Sequence, residues 1–82
     1  MKWNKLEDQK KWPEGLLLTR TQRFLGDEFQ YIAGHIEYNV KKKKWYFINK
    51  MDSDVFISVD SLIKNFNADF ILLANISEPA HD

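Results

Sequence analysis

The sequence predicts a mostly β domain of the α+β class. About five strands are expected in a largely antiparallel sheet, curled or closed into a small barrel, with one short helix near residues 60–66. Short runs of β-branched and aromatic residues alternate with turn-forming residues, which is typical of strands. Aromatic residues make up 15% of the chain and suit a small packed core. The length of 82 residues fits a single domain spanning residues 1–82.

The chain opens with a polar segment and a turn. Residues 1–11 are expected to form an N-terminal arm, either irregular or with one helical turn. Trp12-Pro13-Glu14-Gly15 predicts a turn, because proline presets φ at the second turn position and glycine suits the fourth. A strand is expected over residues 16–25, where threonines favour an extended chain.

A tight hairpin is predicted next. Glycine at the first central position is what a type II′ turn requires, so Gly26-Asp27 is expected to join the first strand to a second over residues 29–38. A two-residue turn places Thr21 opposite Ile32. Gly34, in the middle of the second strand, indicates a bulge or a neighbour packed closely against the backbone.

The second half of the chain predicts a loop, a helix and the remaining strands. Residues 39–43 are expected to form a hairpin loop, and a brief helix through residue 66 is expected to begin at Asp60 or Ser61. Residues 70–76 are almost all apolar, which favours a buried central strand. The three strands expected in this half span residues 44–48, 55–59 and 70–76.

Charge and composition exclude several classes of protein. The absence of cysteine excludes disulfides and thiolate metal sites. Twelve basic and twelve acidic side chains cancel, which argues against a uniformly charged nucleic-acid binder or mimic. The net charge of zero is unevenly distributed, since residues 1–50 carry a net charge of +5 and residues 51–82 a net charge of −5. Such a split indicates either two surfaces of opposite sign or ion pairing between the halves.

No secretory or membrane segment is expected. The N-terminal residues are too polar for a signal peptide. The longest apolar run, residues 70–74, is far shorter than the roughly 20 residues of a membrane helix. The sequence therefore predicts a cytoplasmic protein without a membrane partner.

The residues available for catalysis are few. The histidines are His35, expected as a structural imidazole in a strand, and His81 near the C-terminus. Asp52-Ser53-Asp54 resembles the start of a calcium loop but lacks the remaining ligands. No enzyme activity, metal or cofactor is expected.

A lysine run followed by aromatic residues is the most distinctive local feature. Cationic grooves combined with aromatic stacking platforms hold single-stranded nucleic acid. The alternative is a solubilising loop in front of core aromatics, because lysines also protect exposed strand edges from pairing. The candidate contact residues for nucleic acid or another partner are Arg20, Arg23, Lys41, Lys42, Lys43, Lys44, Tyr46 and Lys50.

A second candidate site is a pocket closed by two tryptophans. Trp3 and Trp12 flank the polar arm and are expected to cover one end of the sheet, or to form an exposed patch for a protein partner. Thr19 and His35 are the candidate polar residues of such a pocket, with Arg20 beside them.

Several short stretches resemble a family of small domains of unknown function that phages and prophages encode. They are Trp3, Trp12-Pro13-Glu14-Gly15, Tyr31-Ile32-Ala33-Gly34, Lys44-Trp45-Tyr46 and Glu78-Pro79. The chain departs from the family at Asp69-Phe70, where members usually carry His-Trp. The resemblance implies a mobile-element accessory protein, and it implies no activity or site residues.

Three functions are compatible with the sequence. The first is a non-enzymatic interaction module that binds another protein, for instance a host protein that it modulates, or a second copy of itself as a homodimer. The alternative is a domain that binds single-stranded nucleic acid through residues 41–44 and the neighbouring aromatics. The third is an enzyme or small-ligand carrier that uses the pocket under the tryptophans.

Overall fold

The computed structural model describes residues 2–22, 24 and 26–74. Its elements in chain order are β1 (Asn4–Lys5), a 3₁₀ turn (Leu6–Asp8), β2 (Leu16–Thr21), β3 (Gln30–Asn39), β4 (Lys44–Asn49), β5 (Phe56–Ser58), α1 (Val59–Phe66) and β6 (Asp69–Ala74). The strands form one sheet in the order β1-β6-β2-β3-β4-β5, and every neighbouring pair is antiparallel. The prediction of a mostly β, antiparallel fold with one short α-helix is therefore confirmed.

The sheet has six strands and is open. The sixth strand is β1, a two-residue edge within the segment expected as an arm. The prediction of a small barrel is wrong, because β1 and β5 lie at opposite edges of the sheet with four strands between them. These edge strands have only two and three residues, so they offer little backbone for pairing across a closed barrel.

The hairpin between β2 and β3 differs from the predicted two-residue turn. Thr21 pairs with Gln30, and Ile32 pairs with Thr19, so the last pair of the hairpin has eight residues, 22–29, between its members. The chain leaves the sheet at Gln22, whose backbone N–H donates to the carbonyl of Phe66 at the end of α1, 2.9 Å away. This contact between distant parts of the chain ends β2 at Thr21, earlier than the predicted residue 25.

The loop between β3 and β4 lies where it was predicted. Asn39 pairs with Lys44 across its base. The Asn39 side chain accepts a hydrogen bond from the Lys42 N–H at 2.8 Å, and its carbonyl accepts one from the Lys43 N–H at 2.7 Å. Lys43 has a φ of 55°, so the turn carries a left-handed residue other than glycine. The lysines 41–44 are thereby held, exposed, at one end of the sheet.

The helix α1 begins earlier than predicted. Ser58 caps it, since its hydroxyl accepts a hydrogen bond from the Ser61 N–H at 3.2 Å. The predicted caps were Asp60 and Ser61, which lie instead within the first turn. Asn67 ends the helix in a left-handed conformation, as expected of asparagine.

One face of the sheet, the inner face, is covered by α1 and the 3₁₀ turn. The buried cluster there consists of Leu6, Leu17, Phe47, Val59, Leu62, Ala68 and Phe70. Leu6 is fully buried, and its N–H donates to the carbonyl of Ala68 at 3.0 Å. The N-terminal segment is therefore part of the core, and one of its two expected forms, the helical turn, is present. The opposite face, the outer face, carries Arg20, Tyr31 and Tyr46 among others.

The last strand is internal but only partly buried. β6 lies between β1 and β2, which agrees with the prediction of a non-edge strand. Phe70 and Ile71 are buried, whereas Leu72 and Leu73 are 52% and 47% exposed. The predicted burial of the whole apolar run is thus wrong for its second part. Residues 75 and 76, also predicted to belong to this strand, lie outside the described residues.

Candidate functional site

An aromatic pair lies at the sheet end that carries the lysine loop. Tyr38 of β3 and Trp45 of β4 are paired across the strands, with ring centroids 5.2 Å apart and planes at 61°. Both side chains are partly exposed, at 42% and 43%. Edge-to-face contact holds the two rings together, and each ring keeps part of its surface open to a ligand.

The segment before β2 completes this end of the molecule. Since Leu17 pairs with Gly34 and β3 runs on to Asn39, the turn preceding β2 lies near the loop end of β3. Trp12 packs against the core there and forms one wall of a cleft of about 640 Å³. The cleft is lined by Lys10, Lys11, Trp12, Pro13, Glu14, Ile36, Glu37, Tyr38 and Trp45. We call Lys10, Lys11, Trp12, Tyr38, Trp45 and the loop lysines 41–44 the hairpin-end site.

The two ends of the sheet have opposite charge. In the described part of the chain, the hairpin end carries six lysines (10, 11 and 41–44) against the carboxylates of Glu14 and Glu37. The other end carries the described residues of the connections 22–29 and 50–55, with the carboxylates Asp27, Glu28, Asp52 and Asp54 against the ammonium group of Lys50. The two ends of opposite sign do not reproduce the division of charge at residue 50, since Asp27 and Glu28 belong to the basic half of the sequence, but they place a local cationic site on a chain of zero net charge.

The structure separates some of the candidate contact residues from the lysine loop. Tyr46 lies on the outer face, and Lys42 reaches back so that its Nζ is 5.7 Å from the Tyr46 ring centroid. Lys50 lies at the opposite end of β4 and donates its N–H to the Ala33 carbonyl at 2.9 Å. Arg20 lies on the outer face of β2, and Arg23 is outside the described residues. The structure thus brings together residues 41–44 and Tyr46.

The four residues of the candidate pocket do not meet. Thr19 is buried on the inner face, where its hydroxyl donates to the carbonyl of Ile32 at 2.9 Å. His35 lies on the outer face, with its Nε2 3.1 Å from a carboxylate oxygen of Glu37. Trp3 stacks over Arg20 on the outer face, whereas Trp12 lines the cleft at the hairpin end. The two tryptophans therefore cover different parts of the sheet.

Arg20 is held by an ion pair and two aromatic rings. Its Nη2 and Nε lie 2.7 and 3.2 Å from Oδ2 of Asp69, and its guanidinium carbon lies 4.5 Å from the Trp3 ring centroid and 4.6 Å from that of Phe29. Lys5 reaches the other carboxylate oxygen of Asp69 at 3.9 Å. These contacts join β1, β2 and β6 on the outer face, so the arginine has a structural role in this fold.

Asp69→Asn should lower the free energy of unfolding by about 1–3 kcal/mol, because it removes the charge that a partly buried arginine requires. Urea denaturation followed by tryptophan fluorescence measures the effect. Glu37→Gln is the matched control: it removes a carboxylate from the exposed contact with His35, and should cost less than about 0.5 kcal/mol. Equal costs for the two variants would contradict the structural role of Asp69.

Sequence reasoning missed three residues of the hairpin-end site. Lys10 and Lys11 belong to a segment expected as an arm, and Tyr38 was expected only as a strand residue. The strand register is what brings them together, because it sets Tyr38 opposite Trp45 and places the turn before β2 beside them. A basic dipeptide next to a tryptophan and a turn was the available signal in the sequence.

Comparison of the chain with protein-family models, with curated proteins and with solved structures found no match. The resemblance to phage-encoded domains therefore stays a prediction. In the described part of the chain, no helix has the length and apolar character needed to cross a membrane. Within the same residues, no group of three or more histidine, aspartate or glutamate side chains is arranged to hold a metal ion.

Proposed function

We propose that this chain is a non-enzymatic module that binds single-stranded nucleic acid at the hairpin-end site. The observation that carries the proposal is the partly exposed Tyr38–Trp45 pair within a cleft that Lys10 and Lys11 also line. Bases stack on exposed aromatic rings, and each stacked base contributes about 1–3 kcal/mol. Stacking is tolerant of sequence, so the expected ligand is a single strand rather than a particular site.

The lysines supply the second part of the interaction. Residues 41–44 are exposed on a loop whose base is the Asn39–Lys44 pair, directly before Trp45. Lys10 and Lys11 line the cleft together with Tyr38 and Trp45, so the segment before β2 places two cationic side chains beside the aromatic pair. Ammonium groups that contact phosphates release condensed counterions, which makes the binding tighter at low salt.

Fluorescence anisotropy with labelled oligo(dT) and oligo(U) tests the proposal. At about 50 mM salt we expect binding with a Kd on the order of 10⁻⁵ M, falling steeply in strength as salt is added. The decisive variant is Lys10→Ala with Lys11→Ala, which should weaken binding about fivefold or more if each lysine contacts a phosphate. Lys50→Ala with Lys64→Ala is the matched control, because it removes the same charge from other parts of the chain.

Two results would count against the proposal. One is the absence of binding at low salt for both oligonucleotides. The other is an equal loss of affinity in the two double variants, since this would mean that only net charge, and not the hairpin-end site, determines binding.

A protein partner is the second candidate, and exposed apolar side chains favour it. Met51 and Val55 are exposed in the loop before β5, and Leu72 and Leu73 are half exposed on β6. Adjacent exposed apolar side chains, such as those of Leu72 and Leu73, occur where proteins associate. Sedimentation velocity over a range of concentrations tests self-association: a rising sedimentation coefficient supports the homodimer that the sequence suggested, and a constant one contradicts it.

A further inference from the structure

The acidic end of the sheet contains a second cleft that the proposed function does not use. It has a volume of about 610 Å³ and lies between α1, the loop 22–29 and strands β3 to β5. Its walls are mainly apolar, with Ile32, Phe47, Val55, Ile57, Leu62 and Phe66. The size and the apolar lining are those of small-molecule sites, which usually measure about 300–1,000 Å³.

The cleft is built from well-connected parts of the fold. The C-terminal end of α1 is fixed to the sheet, since the Gln22 N–H donates to the Phe66 carbonyl and the Asn67 side chain donates to the Gln22 carbonyl at 3.1 Å. Between β2 and β3, Asp27 is bonded twice to Phe24: its N–H donates to the Phe24 carbonyl at 3.0 Å, and its carboxylate accepts from the Phe24 N–H at 3.2 Å. The helix α1 and residues Asp27 and Glu28 therefore form two walls of the cleft over the inner face of the sheet.

The charged side chains among the described lining residues of the cleft are both acidic. Asp27 and Glu28 lie on its wall, and no lysine or arginine is among its described lining residues. Thr21, Gln30 and Asn49 add neutral polar groups. A carboxylate pair beside an apolar cavity attracts a ligand with an apolar body and a positive charge, and it disfavours an anion of the same shape.

We propose that this cleft binds a small organic cation, with the apolar body against Ile57 and Phe66 and the amine at Asp27 and Glu28. The site is separate from the hairpin-end site in place and in sign. A nucleic acid is repelled by the carboxylates here, so the two ligands occupy opposite ends of the sheet. The apolar part of the ligand supplies the affinity, and the charge supplies the selectivity.

Two probes of the same ring system and opposite charge test the proposal. Tryptamine is a cation at neutral pH, and indole-3-propionate is an anion. In two-dimensional NMR titrations of the full chain, tryptamine should shift the methyl signals of Ile32, Ile57 and Leu62, and indole-3-propionate should bind about tenfold more weakly. Equal affinities for the two probes, or tryptamine shifts only outside the cleft, would overturn the proposal.

Two variants sharpen the test. Glu28→Gln keeps the shape of the side chain and should weaken tryptamine binding about threefold while leaving indole-3-propionate unchanged or slightly stronger. Val55→Trp adds an indole at the wall of the cleft and should abolish the tryptamine shifts. Val40→Trp, at the exposed loop of the other end, is the control and should leave them intact. Tryptamine binding that is unaffected by both Glu28→Gln and Val55→Trp would contradict the site.

Discussion

Gly34→Ala should lower the free energy of unfolding by about 3 kcal/mol, one of the largest effects of any single methyl group in this chain. A Cβ built at Gly34 overlaps the backbone carbonyl oxygen of Ile48 and lies 2.7 Å from Cζ of Phe47. The carbonyl belongs to the neighbouring strand β4 and cannot move without disturbing the pairing of Gly34 with Asn49. Equilibrium urea denaturation, followed by tryptophan fluorescence and circular dichroism, measures the loss.

Gly26→Ala is the control for this prediction. Gly26 lies between β2 and β3 with a φ of 96°, and apart from its chain neighbours no atom of the described residues lies within 4 Å of a Cβ built there. Its substitution costs only backbone strain, about 1–2 kcal/mol. If Gly34→Ala costs no more than Gly26→Ala, the close packing of β4 against Gly34 is wrong.

Leu6→Ala should cost about 3–4 kcal/mol, because Leu6 is a fully buried member of the core cluster. Leu6 is the one buried residue among residues 2–11, so the loss of this side chain should also release β1 from β6. Thermal and urea denaturation measure the stability, and hydrogen exchange at the Leu6 amide, which is bonded to the Ala68 carbonyl, measures the local opening.

Leu72→Ala is the matched substitution at an exposed leucine. Leu72 is in the strand that the sequence predicted as fully buried, but half of its side chain is exposed. The expected cost is therefore about 1 kcal/mol, which is the lower part of the range for removing apolar contacts. Similar costs for Leu6→Ala and Leu72→Ala would mean that residues 4–8 form the irregular arm that was the other expectation from the sequence.

The strands and the helix could be predicted because their signals are local. The aromatic and β-branched residues 44–48 favour a strand without help from the rest of the chain. Asn39 stabilises the loop that follows it with its own side chain, which accepts a hydrogen bond from the Lys42 N–H. The helix end at Asn67 is also local, since asparagine tolerates the left-handed conformation found there. These elements need no knowledge of the rest of the chain.

The errors in the fold come from long-range contacts. The predicted turn centred on Gly26-Asp27 is wrong, since the turn bond there runs from the Asp27 N–H to the Phe24 carbonyl. β2 ends earlier because Gln22 bonds to Phe66, which lies 44 positions further along the chain. The burial of Leu6 depends on Ala68 and the rest of the core cluster. It could not be predicted from the sequence, because a polar segment with one leucine has no hydrophobic periodicity. Openness of the sheet likewise depends on the lengths of its edge strands.

The candidate site was predicted only in part, because some of its residues are brought together by long-range strand pairing. The lysine run and Trp45 adjoin each other in the sequence, so their proximity was visible. Tyr38 and Lys11 join them only through the register of β3 with β4 and the position of the turn before β2. Arg20 was grouped with the lysines from its charge alone, although its guanidinium is paired with Asp69 on the outer face.

NMR mapping of oligonucleotide binding tests the central proposal most directly. Short oligo(dT) is added to the full chain at low salt, and shifts of backbone amides and tryptophan indoles are followed. The proposal predicts shifts concentrated at Lys10, Lys11, Trp12, Tyr38, Trp45 and the loop 40–43, with the cleft between α1 and loop 22–29 unchanged. Shifts concentrated at that cleft or on the outer face around Arg20, or no shifts at all, would contradict it.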